Sequence, residues 1–312
     1  MLAKQSIPLS ALELTAAIRD GQPYDASRLD RVLRIDEGQG LIEVQAAARW
    51  KEIAARLRPS HAHTPRLGSG MPTVGESLAC NAAGPDGRPA VTHVESIAVV
   101  MPNAELLRIS RSRQSELFSL VAGGHGVFGA LYSVTLHTGS LSRALNDAAE
   151  AEVLSSSRPG AACRLLRLLL PPREVPAFLA EAQSYCADWR MPLAGARLRR
   201  TQEEQDTFLR WARRDYAALT LSLAEPPVLG TAVRAAQLRR KLLDAAIARG
   251  GSFPVHCTPE ATREQAEACY PQLPRFLAEK RRLDPAERMV NAWYRHFRRL
   301  FSGQKCVARW AR

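Results

Sequence analysis

The residues that carry the strongest chemical signal lie in the stretch LVAGGHGVFGALYSVTLHT, residues 120–138. Gly123, Gly124, Gly126 and Gly129 crowd a turn, and an alternating apolar run, Leu131, Val134 and Leu136, follows it. Glycine reaches positive φ and lets main chains approach closely, so this turn presses backbone against a ligand or against another strand. A second small-residue stretch, SHAHTPRLGSGMPTVGESLACNAAGPDGRP, fills residues 60–89 and reads as a long loop. Loops of that length inside a compact domain are functional or disordered, and Met71, Val74 and Leu78 argue for order. Its His61 and His63 have a spacing that could chelate, but no acidic or cysteine partner is near in sequence, and no metal site is expected. The six cysteines, Cys80, Cys163, Cys186, Cys257, Cys269 and Cys306, form no C-x-x-C pair and read as reduced structural thiols. Arg295, in NAWYRHF, either meets an anionic substrate or faces solvent, while Trp293 and Phe297 form an apolar pair four residues apart.

The elements around these residues follow from their patterning. SALELTAAIRDG reads as a helix capped by Ser10 and ended by Gly21. Leu41 to Gln45 reads as a strand that gives way to a helix ending before Pro59. Val94 to Met101 and Glu105 to Ile109 form a hairpin about Pro102-Asn103. SELFSLV is a short helix that breaks at the glycines, and GALYSVTLHT is a strand. The second half has another rhythm: CRLLRLLL (strand), REVPAFLAEAQSYCADWR (helix), LAGARLRR and YAALTLSLA (strands), TAVRAAQLRRKLLDAAIARG (helix) and GSFPVHCT (strand). The long helix places Val233, Leu238, Leu242 and Ala246 on one side. This β-α-β-β-α-β order is the split βαβ, or ferredoxin-like, arrangement of an antiparallel sheet with helices on one face. Asp284-Pro285 marks a turn before a final helix.

A chain of 312 residues, 46% hydrophobic, holds one large domain or two ordinary ones. No run of apolar residues is long enough for a membrane helix. The first residues lack the pattern of a secretory signal, so a cytoplasmic protein is expected. The net charge is +12 and arginine carries nearly all of it. The basic residues are scattered except at the C-terminal end, and no nucleic-acid-binding motif accompanies them, so nucleic acid is not an expected partner.

Taken together, TVGESLACNAAG, VESIAVVMPNAELLRIS and SELFSLVAGGHGVFGALYSVTLHT resemble the FAD-binding domain of the vanillyl-alcohol-oxidase-type, or PCMH-type, FAD-linked oxidases. The segment YPQLPRFLAEKRRLDPAERMVNAWYRHF resembles the closing segment of the same family. The resemblance implies an α+β fold: a FAD-binding domain over residues 1–140, an antiparallel-sheet cap over 141–270, and a tail, 271–312, that packs back on the first domain. It implies noncovalent FAD. Main chain around Gly68, Ser69, Gly70, Thr73, Val74, Gly75 and Gly84 would face the cofactor, with Ser77 and Asn81 as polar contacts. Gly124, His125 and Val134 would lie on the turn and strand beside it. Backbone N–H groups exposed by small residues suit the pyrophosphate. In the resemblance His256 lies on a strand lining the substrate side, where a neutral imidazole could take a hydroxyl proton, with Cys257 facing the other way. Arg295 is the second catalytic candidate.

The sequence departs from the family pattern at three places. The family's R-G-x-G-x-S-x-G-D pyrophosphate loop is replaced by GQPYDAS, the second glycine of T-V-G-G is Glu76, and the N-x-H-G histidine is Ala83. Three readings follow. One is a flavin-dependent oxidation of an alcohol-type CH–OH or a C–N carbon of a small-molecule substrate. The second is a flavin-free descendant that works as a binding or scaffold subunit with a protein partner, or as a non-redox enzyme. The third is an arginine-rich chain that makes weak peripheral contact with a membrane surface through its basic C-terminus.

Overall fold

The computed structural model describes residues 9–57, 73–84, 86–146, 152–156, 163–225 and 230–302. The chain divides into two compact units. The first comprises Met1–Ala151, Arg199–Tyr216 and Lys280–Met289, and the second Glu152–Leu198, Ala217–Glu279 and Val290–Arg312. The units are therefore discontinuous in sequence, whereas the sequence reading cuts the chain at residues 140 and 270. Gly68, Ser69, Gly70, His61 and His63 lie outside the described residues.

The first unit opens with α1 (Ala11–Arg19). Ser10 and Glu13 close a capping box at 3.2 and 2.7 Å, Leu14 and Ile18 face inward, and Gly21 follows at φ +64°. Strands β1 (Val32–Asp36) and β2 (Leu41–Gln45) form a hairpin, and α2 (Trp50–Leu57) follows. Next come α3 (Val74–Ala79), β3 (Val94–Val100), β4 (Leu106–Ser110), α4 (Ser115–Val121), β5 (Ala130–His137) and α5 (Thr138–Asn146). The five strands make one antiparallel sheet in the order β1-β2-β5-β3-β4. Its inner face is aliphatic: Ile42, Val44, Ile97, Ile109, Val134 and Leu136 are buried. Strand β5 lies between β2 and β3, so the glycine turn that precedes it is held at the middle of the sheet.

The second unit contains β6 (Glu152–Ser156), β7 (Cys163–Leu170), α6 (Val175–Asp188), β8 (Leu193–Thr201) as far as Leu198, β9 (Tyr216–Ala224) from Ala217, and α7 (Thr231–Ala248). Helices α8 (Arg263–Cys269), α9 (Leu273–Leu283, in this unit as far as Glu279) and α10 (Ala292–Phe301) follow. The sheet order is β6-β8-β9-β7. Leu166 pairs with Leu221 and Leu168 with Leu219, and all four are buried together with Phe178 of α6 and Leu238 and Leu242 of α7. The architecture is α+β throughout.

Three local expectations are corrected. The supposed loop at 60–89 contains α3, because Thr73 and Glu76 form a capping box that starts a helix among small residues. The stretch GSFPVHCT is not a strand. Only Ser252 bridges Leu169; Pro254 has no N–H to donate to a ladder, and a 3₁₀ turn follows at Val255–Cys257. The fourth strand of this sheet is instead β6, on the opposite edge, so the ferredoxin-like order is incomplete. Val233 is 64% exposed, while Ala235 and Leu238 occupy the inner face of α7.

Glycine tolerance differs sharply within the turn before β5. A Cβ on Gly124 would lie 1.9 Å from the Leu120 carbonyl oxygen and 3.2 Å from Phe128, whereas one on Gly126 (φ +70°) would meet nothing within 4 Å. Gly124→Ala is therefore expected to destabilise the protein by about 3 kcal/mol through overpacking. Gly126→Ala should cost about 1 kcal/mol through backbone strain alone. Urea denaturation of the two variants checks both the order and the gap.

Candidate functional site

The site assigned from sequence to a dinucleotide is built where α3, the glycine turn and the segment 204–211 meet within the first unit. Arg49 and Thr73 form an isolated antiparallel bridge. From it the chain enters α3 with its first amides directed into the protein. Val74 N–H donates to the Ala48 carbonyl at 3.0 Å, and Gly75 N–H donates to the Ala46 carbonyl at 2.7 Å. A Cβ at position 75 would fall 2.8 Å from that same Ala46 oxygen, so glycine is required there by a neighbouring main chain. The Thr73 N–H donates to the Glu76 carboxylate at 2.9 Å, and the Glu76 N–H donates to the Thr73 hydroxyl at 3.2 Å. Glu76, which stands where the family pattern has a second glycine, thus caps the helix. The Ser77 hydroxyl accepts from the Trp50 indole at 2.8 Å.

Asn81 is the hub of the cluster. It is buried and holds φ +47°, a left-handed conformation that asparagine tolerates better than most residues. Its Oδ1 accepts from Val91 N–H at 3.0 Å, its Nδ2 donates to Glu204 at 3.2 Å, and its carbonyl accepts the Trp211 indole N–H at 2.8 Å. Glu204, 4% exposed, also accepts from Asp206 N–H (2.8 Å), Thr207 N–H (3.0 Å) and the Thr207 hydroxyl. Burial is the largest influence on its carboxyl and raises the pKa; the donors from Thr207 and Asp206 oppose it. Arg111 braces the same segment through a two-pronged pair with Asp206 at 2.9 and 2.8 Å, and also donates to the carbonyls of Val91 and Val94.

The glycine turn is engaged in the same way. Gly123 N–H donates to Leu78 at 2.9 Å, Gly124 N–H to Val121 at 3.1 Å, and His125 N–H to Ala79 at 2.9 Å. Gly84 N–H donates to Arg88 at 2.7 Å. Val134 is fully buried in β5, paired with Val44 and Ile97. The turn therefore presses main chain against the C-terminal half of α3, which resolves the choice between ligand and protein at these amides. The structure brings Thr73, Val74, Gly75, Ser77, Asn81, Gly124 and His125 together. The described ones do not fit a pyrophosphate cradle, because the N–H groups of Thr73, Val74, Gly75, Gly84, Gly123, Gly124 and His125 already have protein acceptors.

The remaining candidates lie in the second unit. His256 is in the 3₁₀ turn Val255–Cys257, partly buried. Burial, with a smaller contribution from Arg167, pushes its pKa down to about 4, so the ring is neutral at physiological pH. Arg295 is exposed on α10. Trp293 and Phe297 are in contact, with ring centroids 4.9 Å apart, and Phe297 is buried. Sequence reasoning missed Glu204, Trp211 and Arg111. Glu204 and Trp211 are 123 and 130 residues from Asn81, a separation that no local pattern can signal.

Asn81→Ala removes a donor to a buried carboxylate and the acceptor of the Val91 amide, and leaves alanine at positive φ. A loss of about 2–4 kcal/mol is expected from urea unfolding. Asn81→Asp should be at least as damaging, because it sets a second carboxylate against Glu204.

No curated protein matches this chain. Residues 10–110 match the family model described as FAD binding domain, a match that implies FAD and suggests a flavin-dependent oxidoreductase without specifying subfamily or substrate.

Proposed function

We propose that this chain is a flavin-linked oxidoreductase acting on an alcohol-type CH–OH or a C–N carbon of a small-molecule substrate. The observation that carries this reading is the match of residues 10–110 to the FAD binding domain. When bound, FAD supplies a two-electron acceptor of hydride. In this reading it is held noncovalently, and its pyrophosphate contacts are groups other than the amides of α3 and the glycine turn. His256, neutral at pH 7, is the proton acceptor. A pKa of about 4 makes it a weak base that holds a proton only briefly. Arg295 offers its exposed guanidinium to an anionic substrate group. Among the described residues no helix is long and apolar enough to cross a membrane.

One observation favours a second reading. The main-chain donors expected to hold the phosphates are occupied by protein carbonyls and side chains. That arrangement suits a flavin-free binding or scaffold subunit that keeps the fold and has replaced cofactor contacts by internal ones.

An absorbance spectrum of the purified chain, followed by titration with FAD, separates the two. The oxidoreductase reading predicts flavin bands, or saturable quenching of flavin fluorescence; their absence at every FAD concentration leaves the second reading. With a substrate in hand, His256→Ala should lower turnover by about 10²–10⁴-fold and leave bound flavin unchanged. Undiminished turnover removes His256 from the mechanism.

A further inference from the structure

A second cluster in the first unit belongs to neither reading. His93, in the 3₁₀ turn Ala90–His93, has its Nδ1 2.5 Å from Oγ of Ser140, the third residue of α5. On the other side of the ring, Nε2 lies 3.8 Å from Oδ2 of Asp86. The side chains of His93 and Asp86 are 4% and 8% exposed, while Ser140 is partly exposed. Asp86 is fixed in turn: its Oδ1 accepts the Arg88 N–H at 3.1 Å, inside a turn closed by Gly84 N–H to Arg88 and Gly87 N–H to Gly84. A Cβ on Gly84 would lie close to the Asp86 carboxylate, at 3.0 Å, and in ordinary contact with His93 Nε2, at 3.9 Å. This glycine, assigned from sequence to a cofactor, lies beside the carboxylate and the imidazole.

We propose that Ser140, His93 and Asp86 form a nucleophilic site that takes an acyl group from an activated ester. The inference stands independently of the flavin reading. Burial, the largest influence, lowers the His93 pKa. Arg88, His137 and Arg143 act in the same direction and Asp86 opposes them, so the ring is neutral and Nδ1 can accept the serine proton. With Nδ1 as acceptor, Nε2 carries the ring hydrogen and faces Asp86 at 3.8 Å, beyond hydrogen-bond length, so the carboxylate favours this tautomer and the developing imidazolium through its charge. Ser140 Oγ attacks the acyl carbon, and its proton passes to Nδ1. The acyl–oxygen bond to the leaving group breaks, and the leaving oxygen takes the proton back from His93. Water, deprotonated in the same way, then hydrolyses the acyl-serine. The position of Ser140 in the first turn of a nine-residue helix favours the negative charge that develops there. A serine that only bonded a core histidine would share the 2.5 Å contact but would not react.

The test treats the full chain with p-nitrophenyl acetate and, separately, with a fluorophosphonate, and maps adducts by mass spectrometry. The proposal predicts an adduct on Ser140 that is absent in Ser140→Ala and forms at least tenfold more slowly in His93→Gln. In case His93→Gln perturbs folding, Ser140→Cys gives a second measurement, with circular dichroism confirming the fold of each variant. Its thiol should react with iodoacetamide at least tenfold faster than that of a free cysteine peptide, and the His93→Gln change should remove the excess. No adduct on Ser140, or labelling and alkylation rates indifferent to His93, overturns the proposal. Adding FAD to the same reactions keeps the two hypotheses apart, because this site is expected to react whether or not flavin binds.

Discussion

The first unit depends on one constraint: amides at the start of α3 and in the glycine turn reach carbonyls of other segments and close the structure on itself. Gly75 N–H on the Ala46 carbonyl ties α3 to the residue after β2. Gly123 and His125 N–H on the carbonyls of Leu78 and Ala79 tie the turn before β5 to the end of the same helix. Each buried donor must find an acceptor, and leaving one unmade costs more than the bond contributes when formed. Once these contacts exist, the glycines have their explanation in packing. Gly75 and Gly124 have no room for a Cβ because protein oxygens stand there.

That constraint shapes the functional account. The match of residues 10–110 to a FAD binding domain suggests a flavin-dependent oxidoreductase. The physical arrangement limits how a dinucleotide could be held, since a phosphate needs donors that are open, and these are engaged. Glu76 shows the same reversal. As a bare sequence feature it is a negative charge in a phosphate loop; in the structure it stabilises the helix that carries it. The Asn81–Glu204–Trp211 cluster adds further internal contacts at the end of α3, with Arg111 and Asp206 bracing the segment that supplies Glu204 and Trp211.

Much of the fold was legible in the sequence because its signals are local. Ser10 and Gly21 bound α1, the pair Pro102-Asn103 sits in the β3–β4 hairpin, and the apolar alternation of β5 and β9 marks strands. What escaped was either short or non-local. Helix α3 has six residues inside a glycine- and proline-rich stretch, where only the Thr73/Glu76 spacing marks it. Strand β6 has no distinctive pattern, and Pro254 prevents the strand that GSFPVHCT suggested. For the site, sequence singled out Thr73, Gly75, Asn81 and Gly124 and assigned them to FAD. The acceptors and donors that Gly75 and Asn81 meet lie in other segments, and Gly84 lies beside Asp86 and His93.

Hydrogen–deuterium exchange resolved to single amides, with and without FAD, tests this account most directly. The account predicts slow exchange at Gly75, Gly123 and His125 in the chain alone, and no further slowing when FAD is added. Fast exchange at these amides that becomes slow in the presence of FAD would show that they are cofactor donors after all.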